Sequence, residues 1–402
     1  MRRSALLAAT TVAGAALIGS IAEGDRKSKG GGEYRPLGPE TSFTTVHTNT
    51  LGLEGLTADN RGNLYSPARN SAGPCPIVRV PASGGPAVTV GHVPAPCSPA
   101  GLAFDRHGDL FVTDGGDREI HRLRPSAASP PTATVFATGV PGANGVAFDK
   151  RGDLWVSDGG TGQGRVWRIG DDRTPREVFR VQPMVSDVNV DAAGVGGIGR
   201  DPRSAPPATV TITPTGRQAA NTLGSQHIVA NGLAFDRDGS LFIGDTARGA
   251  IWRVEVDRRG QVRSPTGCDT TFTPNTLCLD EIFTAHPFLE GADGIALDVA
   301  GNIWVAANER NAIVVVTPSG RTREFFRNAP DAATRLRNNG PMEFPTSPFL
   351  SGRTLCVTHS DGGRRDNSPN SGGEVGPAVP ERAKISCLDQ RLAFPGLSLP
   401  VR

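Results

Sequence analysis

The chain has 402 residues, with 42 Lys and Arg against 40 Asp and Glu and a formal net charge of +2. That balance gives no charge-based case for binding nucleic acid or an anionic membrane surface. Fifty-one glycines and 33 prolines argue against a mainly helical chain and suit many short strands joined by tight turns; with aromatics at 5%, aliphatic residues and Ala must fill the core.

In chain order, Arg2 and Arg3 precede an apolar run from Ala5 to Ala22, and Ser20-Ile21-Ala22 offers small residues for cleavage. Residues 1–22 therefore read as an export signal peptide, the alternative being an uncleaved anchor of about 18 residues. Residues 23–40, rich in Gly and charge, are expected to be a flexible segment, and residues 41–402 a single domain. Cys75, Cys97, Cys268, Cys278, Cys356 and Cys387 are an even set in an exported chain. Sequential pairing closes only short loops, so the expected bonds are Cys75–Cys97, Cys268–Cys278 and Cys356–Cys387.

A repeat organises the domain. Gly101-Leu-Ala-Phe-Asp105-Arg-His-Gly108 leads into Asp109-Leu-Phe-Val-Thr-Asp114; it recurs from Gly145 to Asp158 and from Gly232 to Asp245. Looser copies start at Gly55 and Gly294, and a degenerate one near Gly340. In each copy two short apolar runs flank Asp-x-x-Gly, the pattern of an antiparallel hairpin whose Asp caps the turn while Gly takes the left-handed conformation. A third strand of the type Val166-Trp-Arg-Ile169 follows. Units recurring at this spacing predict an all-β, six-bladed β-propeller with four-stranded antiparallel blades. Residues 184–225 lack the template and read as a long insertion between blades three and four. Phe43-Thr-Thr-Val-His47 is expected to complete the last blade and close the ring.

The residue before each starting glycine departs from the scaffold. It is Glu54, Ala100, Asn144, Asn231, Asp293 and, for the sixth unit, Asn339. In a closed ring all six copies sit at one end of the central channel. Loop residues favour Asn and Asp, yet Glu54 is a weak turn former, whereas a ring of hard oxygen donors accounts for acids and amides alike. Glu54, Asn144, Asn231 and Asp293 are the expected ligands of Ca²⁺ or another hard divalent cation; no thiolate or imidazole is at hand for zinc or copper.

These segments resemble the gluconolactonase-like six-bladed propellers, which include senescence marker protein and regucalcin; diisopropyl fluorophosphatase and the paraoxonases are more distant in architecture. The resemblance rests on Leu53-Glu54-Gly55-Leu, Ala143-Asn144-Gly145-Val, Ala230-Asn231-Gly232-Leu-Ala-Phe-Asp236 and Ala292-Asp293-Gly294-Ile-Ala-Leu-Asp298. It implies hydrolysis of lactones or esters at a divalent metal held by Glu54, Asn231 and Asp293. Asn144 then binds metal or substrate, and Asp293 is the catalytic base or nucleophile. Gly142 and Ala143 stand where some sugar lactonases carry an arginine, which argues against a sugar acid lactone.

Asn339 and His359 are added as substrate-binding candidates at the rim, and His227 invites similar attention. Gly194-Val-Gly-Gly-Ile-Gly199 matches a dinucleotide-binding pattern by letter, but no helix signal follows it. The reading is a secreted or cell-envelope, metal-dependent lactonase or esterase. It acts as a monomer on a small molecule, with no nucleic acid partner and no membrane association once the signal is removed. The alternatives are a non-catalytic binding propeller with a structural ion, and a propeller lyase resembling the streptogramin lyases or an enzyme like strictosidine synthase.

Overall fold

A computed structural model describes residues 34–182, 226, 228–264, 275–277, 279–333, 337, 340–360 and 383–400. The expected leader, the 184–225 insertion and the Cys268–Cys278 pair lie outside the described residues, as do His227 and Asn339.

The Asp-x-x-Gly turns form as their chemistry demands. The Asp59 carboxylate accepts from the backbone of Arg61 and Asn63 at 2.9 and 3.0 Å, and Asp298 accepts from Ala300 and Asn302 at the same distances. Asp105, Asp149 and Asp236 repeat the arrangement. The glycine that closes each turn lies between φ +81° and +95°, the left-handed region open to Gly. These recurring aspartates are hairpin caps.

The hairpins build six antiparallel sheets among the described residues. The second blade, Pro99–Phe104, Leu110–Asp114, Glu119–Leu123 and Thr134–Thr138, is typical. In the third, Thr276–Leu277 adds a parallel strand outside Pro175–Val181. The sixth combines Pro345–Ser351, Thr354–His359 and Ala383–Leu388 with Phe43–Asn49 from the other end of the chain. Neighbouring inner strands pack side by side, and that of blade six meets that of blade one, so the ring is closed. The architecture is the expected six-bladed propeller, with the N-terminal strand as its clasp. Trp155, Trp252 and Trp304 are fully buried in the blade packing.

Cys75–Cys97 and Cys356–Cys387 are bonded, as the short-loop pairing expected. Part of the 23–40 segment is tied to the ring. Tyr34 is buried, stands edge-on to Trp304 at 4.6 Å between ring centroids, and donates its hydroxyl to Asp298 at 3.0 Å. The physical reason is that its ring packs edge-on against Trp304, Phe325 and Phe394 while its hydroxyl reaches a carboxylate. Tyr34→Ala is expected to lower stability by about 3–5 kcal/mol and Tyr34→Phe by about 1 kcal/mol, read by denaturant unfolding. Equal stability of all three proteins would show that the segment carries none of the fold.

At the hairpin end of the ring an apolar cavity of about 100 Å³ is lined by Leu102, Phe104, Val146 and Ile295 together with Leu397 and Leu399 of the C-terminal tail. The tail is fastened there by Leu397 N–H to Leu297 O at 2.8 Å and Gly396 N–H to Gly352 O at 2.7 Å.

Candidate functional site

At the opposite end, the inner strands converge so closely that the starting glycines are a steric requirement. A β-carbon at Gly55, Gly101, Gly145, Gly232 or Gly294 would lie well under 3.0 Å from a backbone oxygen of the next blade. Those oxygens belong to Ala100, Asn144, Asn231, Asp293 and Thr346. Hydroxyls fix several of them: Thr113 donates to the Asn144 carbonyl at 2.6 Å and Ser157 to that of Asn231. With the backbone oxygens taken up between blades, the side chains at this position are the groups left for the channel.

The sixth member is a correction. Pro345 pairs with His359 as Ala292 pairs with Ala307, so Thr346 and Ser347 occupy the places of Asp293 and Gly294. The hydroxyls of Thr346 and Thr358 each donate to the Glu54 carbonyl at 2.7 Å, which closes the ring without a glycine. Thr346 thus holds the ring position expected for Asn339, which lies outside the described residues; Gly340, on which that expectation was aligned, is not in the inner strand Pro345–Ser351. Counting comes within one residue of this: the spacing of 13 from glycine to strand-end Asp (101 to 114, 145 to 158, 232 to 245) runs back from His359 to 346 rather than to Ser347, because the sixth hairpin is one residue shorter.

Glu54 and Asp293 come from blades that are not neighbours, yet they act on one another. Asp293 is 5% exposed, and its carboxyl is held well above the usual carboxylate range, first by burial and then by the negative charge of Glu54. Hydrogen bonds from Asn308, whose Nδ2 lies 2.9 Å from Asp293 Oδ2, and from Asn231 oppose that shift, as does the charge of Arg69. Asn231 is itself oriented by a bond from its Nδ2 to Thr246 Oγ1 at 3.0 Å. Glu54 Oε2 lies 3.3 Å from Arg69 Nη2. Asn144 holds the same position in blade three, where its side chain packs against Gly159. Three of the four expected ligands are thus linked by their interactions, with Asn144 in register beside them.

His359 is different. It is fully buried, its Nδ1 accepts from the Glu343 backbone at 3.1 Å, and its Nε2 meets Ser386 Oγ at 2.7 Å. Burial and the nearby Lys384 charge push its pKa well below the ordinary histidine value. Both ring nitrogens are engaged within blade six, so the ring has none to offer a substrate, and the expected rim role gives way to a packing one. Arg69 is the site residue the sequence did not disclose: blade one ends its second strand in Ala68-Arg69 where blades two to four carry Asp. Asn308, just after the second strand of blade five, belongs with the strand-end residues that the repeat places at this end of the ring.

Among the described residues, no group of three or more His, Cys, Asp and Glu side chains is placed to hold a metal ion. The donor set here is instead two carboxylates and two amides. Two like charges forced together with hard oxygen donors is an arrangement that a divalent cation satisfies, and a soft or imidazole-seeking metal does not.

Residues 182–336 match the family described as the SMP-30/Gluconolactonase/LRE-like region. This segment is gluconolactonase-like. The gluconolactonase-like match spans Asn231, Asp293 and Asn308, while Glu54, Arg69 and Asn144 lie in the blades before it. No curated protein matches the chain. Solved structures share the fold. A calcium-binding protein, regucalcin, from Agrobacterium tumefaciens is 15% identical over 89% of this chain and 95% of its own, with a TM-score of 0.54. A luciferin-regenerating enzyme is 14% identical over 89% and 98%, with a TM-score of 0.55. The PQQ-bound form of an aldose sugar dehydrogenase from Streptomyces coelicolor is 16% identical over 88% and 99%, with a TM-score of 0.51.

Proposed function

We propose that the protein is an exported hydrolase that opens a lactone or cleaves an ester with a hard divalent cation of the Ca²⁺ class. The observation that carries this reading is that buried Asp293, hydrogen-bonded by Asn308, feels the charge of Glu54 from a separate blade at the same end of the ring. The gluconolactonase-like segment and the calcium-binding regucalcin of similar fold support it. Two disulfides suit an oxidising compartment, and among the described residues no helix is long and apolar enough to cross a membrane.

Glu54, Asn144, Asn231 and Asp293 would hold the cation. Bound there, it would polarise a carbonyl oxygen. Asn308 fixes one oxygen of Asp293 at 2.9 Å, so the carboxylate is oriented to take the proton of an attacking water. Burial removes competing solvent from that transfer.

Calorimetric titration of Ca²⁺ into the wild type and into a Glu54→Gln/Asp293→Asn double variant tests the centre. One site in the wild type and none in the variant is the expected result; a silent wild type would overturn the cation mechanism. The titration also carries a pH signature. Because Asp293 holds its proton above the usual carboxylate range, binding must expel it. Affinity is expected to fall by about tenfold per pH unit on acidification below the raised pKa. A pH-independent affinity would remove Asp293 from the ligand set. Acid release from a panel of lactones and esters, with and without a second carboxylate and abolished by chelator, tests the chemistry.

A further inference from the structure

Arg69 has no place in the cation centre as described, yet it faces it. The residue ends the strand Leu64–Arg69 with its side chain 42% exposed. Its Nε donates to the Pro99 carbonyl at 3.1 Å, which fixes the plane of the guanidinium and leaves its terminal nitrogens toward Glu54. The Cys75–Cys97 bond ties together the two segments that carry this anchor: Cys75 lies six residues beyond Arg69, and Cys97 two before Pro99. The Asn70 backbone N–H, 3.2 Å from Cys75 Sγ, continues the same clamp.

Charge decides what such a fixed cation can do. Without a metal, Arg69 is the partner of Glu54 and its field reaches Asp293. A divalent cation would neutralise both carboxylates, and Arg69 would then stand as a free positive charge with its Nε still anchored. An anion suits that place, since a planar guanidinium matches a carboxylate by paired hydrogen bonds.

We propose that Arg69 is an anion subsite of the cation centre, which receives a carboxylate borne by the substrate once the cation has taken Glu54. This rests on the cation reading given above and narrows it to acidic lactones or esters. The residue is exposed and outside the packed core, so its variants are expected to fold, which far-ultraviolet circular dichroism and thermal melts would verify.

The test is calorimetry with two probes, Ca²⁺ alone and then glutarate added to protein saturated with Ca²⁺. Glutarate is expected to bind the Ca²⁺-loaded wild type and not the chelator-treated protein. Binding should weaken by about tenfold in Arg69→Gln and by about threefold in Arg69→Lys, which keeps the charge but not the fork. Ca²⁺ affinity should be equal or higher in Arg69→Gln, since a competitor for Glu54 is gone. Ca²⁺ binding with glutarate affinity unchanged in Arg69→Gln would overturn the subsite and leave the cation centre standing. Absence of Ca²⁺ binding in the wild type would overturn both.

Discussion

An Asp293→Asn protein is expected to keep its fold and lose hydrolysis by about a thousandfold or more, the range for removal of a positioned acid–base group. The substitution preserves shape and an oxygen to accept from Asn308, so the loss would come from charge. Stability should move the other way in chelator. Burial and Glu54 raise the Asp293 pKa above its unfolded value, so this carboxyl favours the fold most below the unfolded pKa. That contribution is lost as pH rises through the folded pKa. Above that raised pKa the wild type carries a buried charge that the amide lacks. Melts in chelator should show the variant at least as stable as the wild type, and melts in Ca²⁺ should stabilise only the wild type. Turnover in the variant within tenfold of wild type would remove Asp293 from the chemistry.

Gly145→Ala is expected to cost about 3 kcal/mol or more, through overpacking that the neighbourhood cannot relieve. The added carbon would overlap the Asn231 carbonyl and lie 2.9 Å from Ser157 Oγ, both fixed parts of the hub. The strain falls on the strand that carries a proposed ligand, so Ca²⁺ affinity should weaken by about tenfold beside the loss of stability. Gly52→Ala is the control. Nothing lies within 4 Å of its β-carbon position and its φ is not positive, so the change should stay within about 0.5 kcal/mol. Denaturant unfolding of both variants checks the pair, and equal stability would mean the blades can part at the hub without penalty.

The same crowding explains what the sequence revealed. In five of the six blades the inner strand meets a neighbouring carbonyl where only glycine fits, and each such glycine marks the ring residue before it. That is why Glu54, Asn144, Asn231 and Asp293 could be picked out from spacing. The sixth blade closes with Thr346, Ser347 and the Thr358 hydroxyl, and its hairpin turns through Gly352-Arg353 without the Asp-x-x-Gly cap. With both landmarks gone, its register slid to Gly340. Arg69 stayed hidden for another reason: it serves through a partner on a different strand, and no spacing along one strand encodes that. His359 looked available because it broke the repeat, but the break serves a contact to Ser386 inside its own blade.

The C-terminal tail has a bearing on traffic. Leu397 and Leu399 line the far cavity, and backbone bonds hold this segment to Leu297 and Gly352, so it straps the hairpin end of the ring. Passage at that end would have to displace this segment, so the proposed substrate and product are expected to come and go by the carboxylate end.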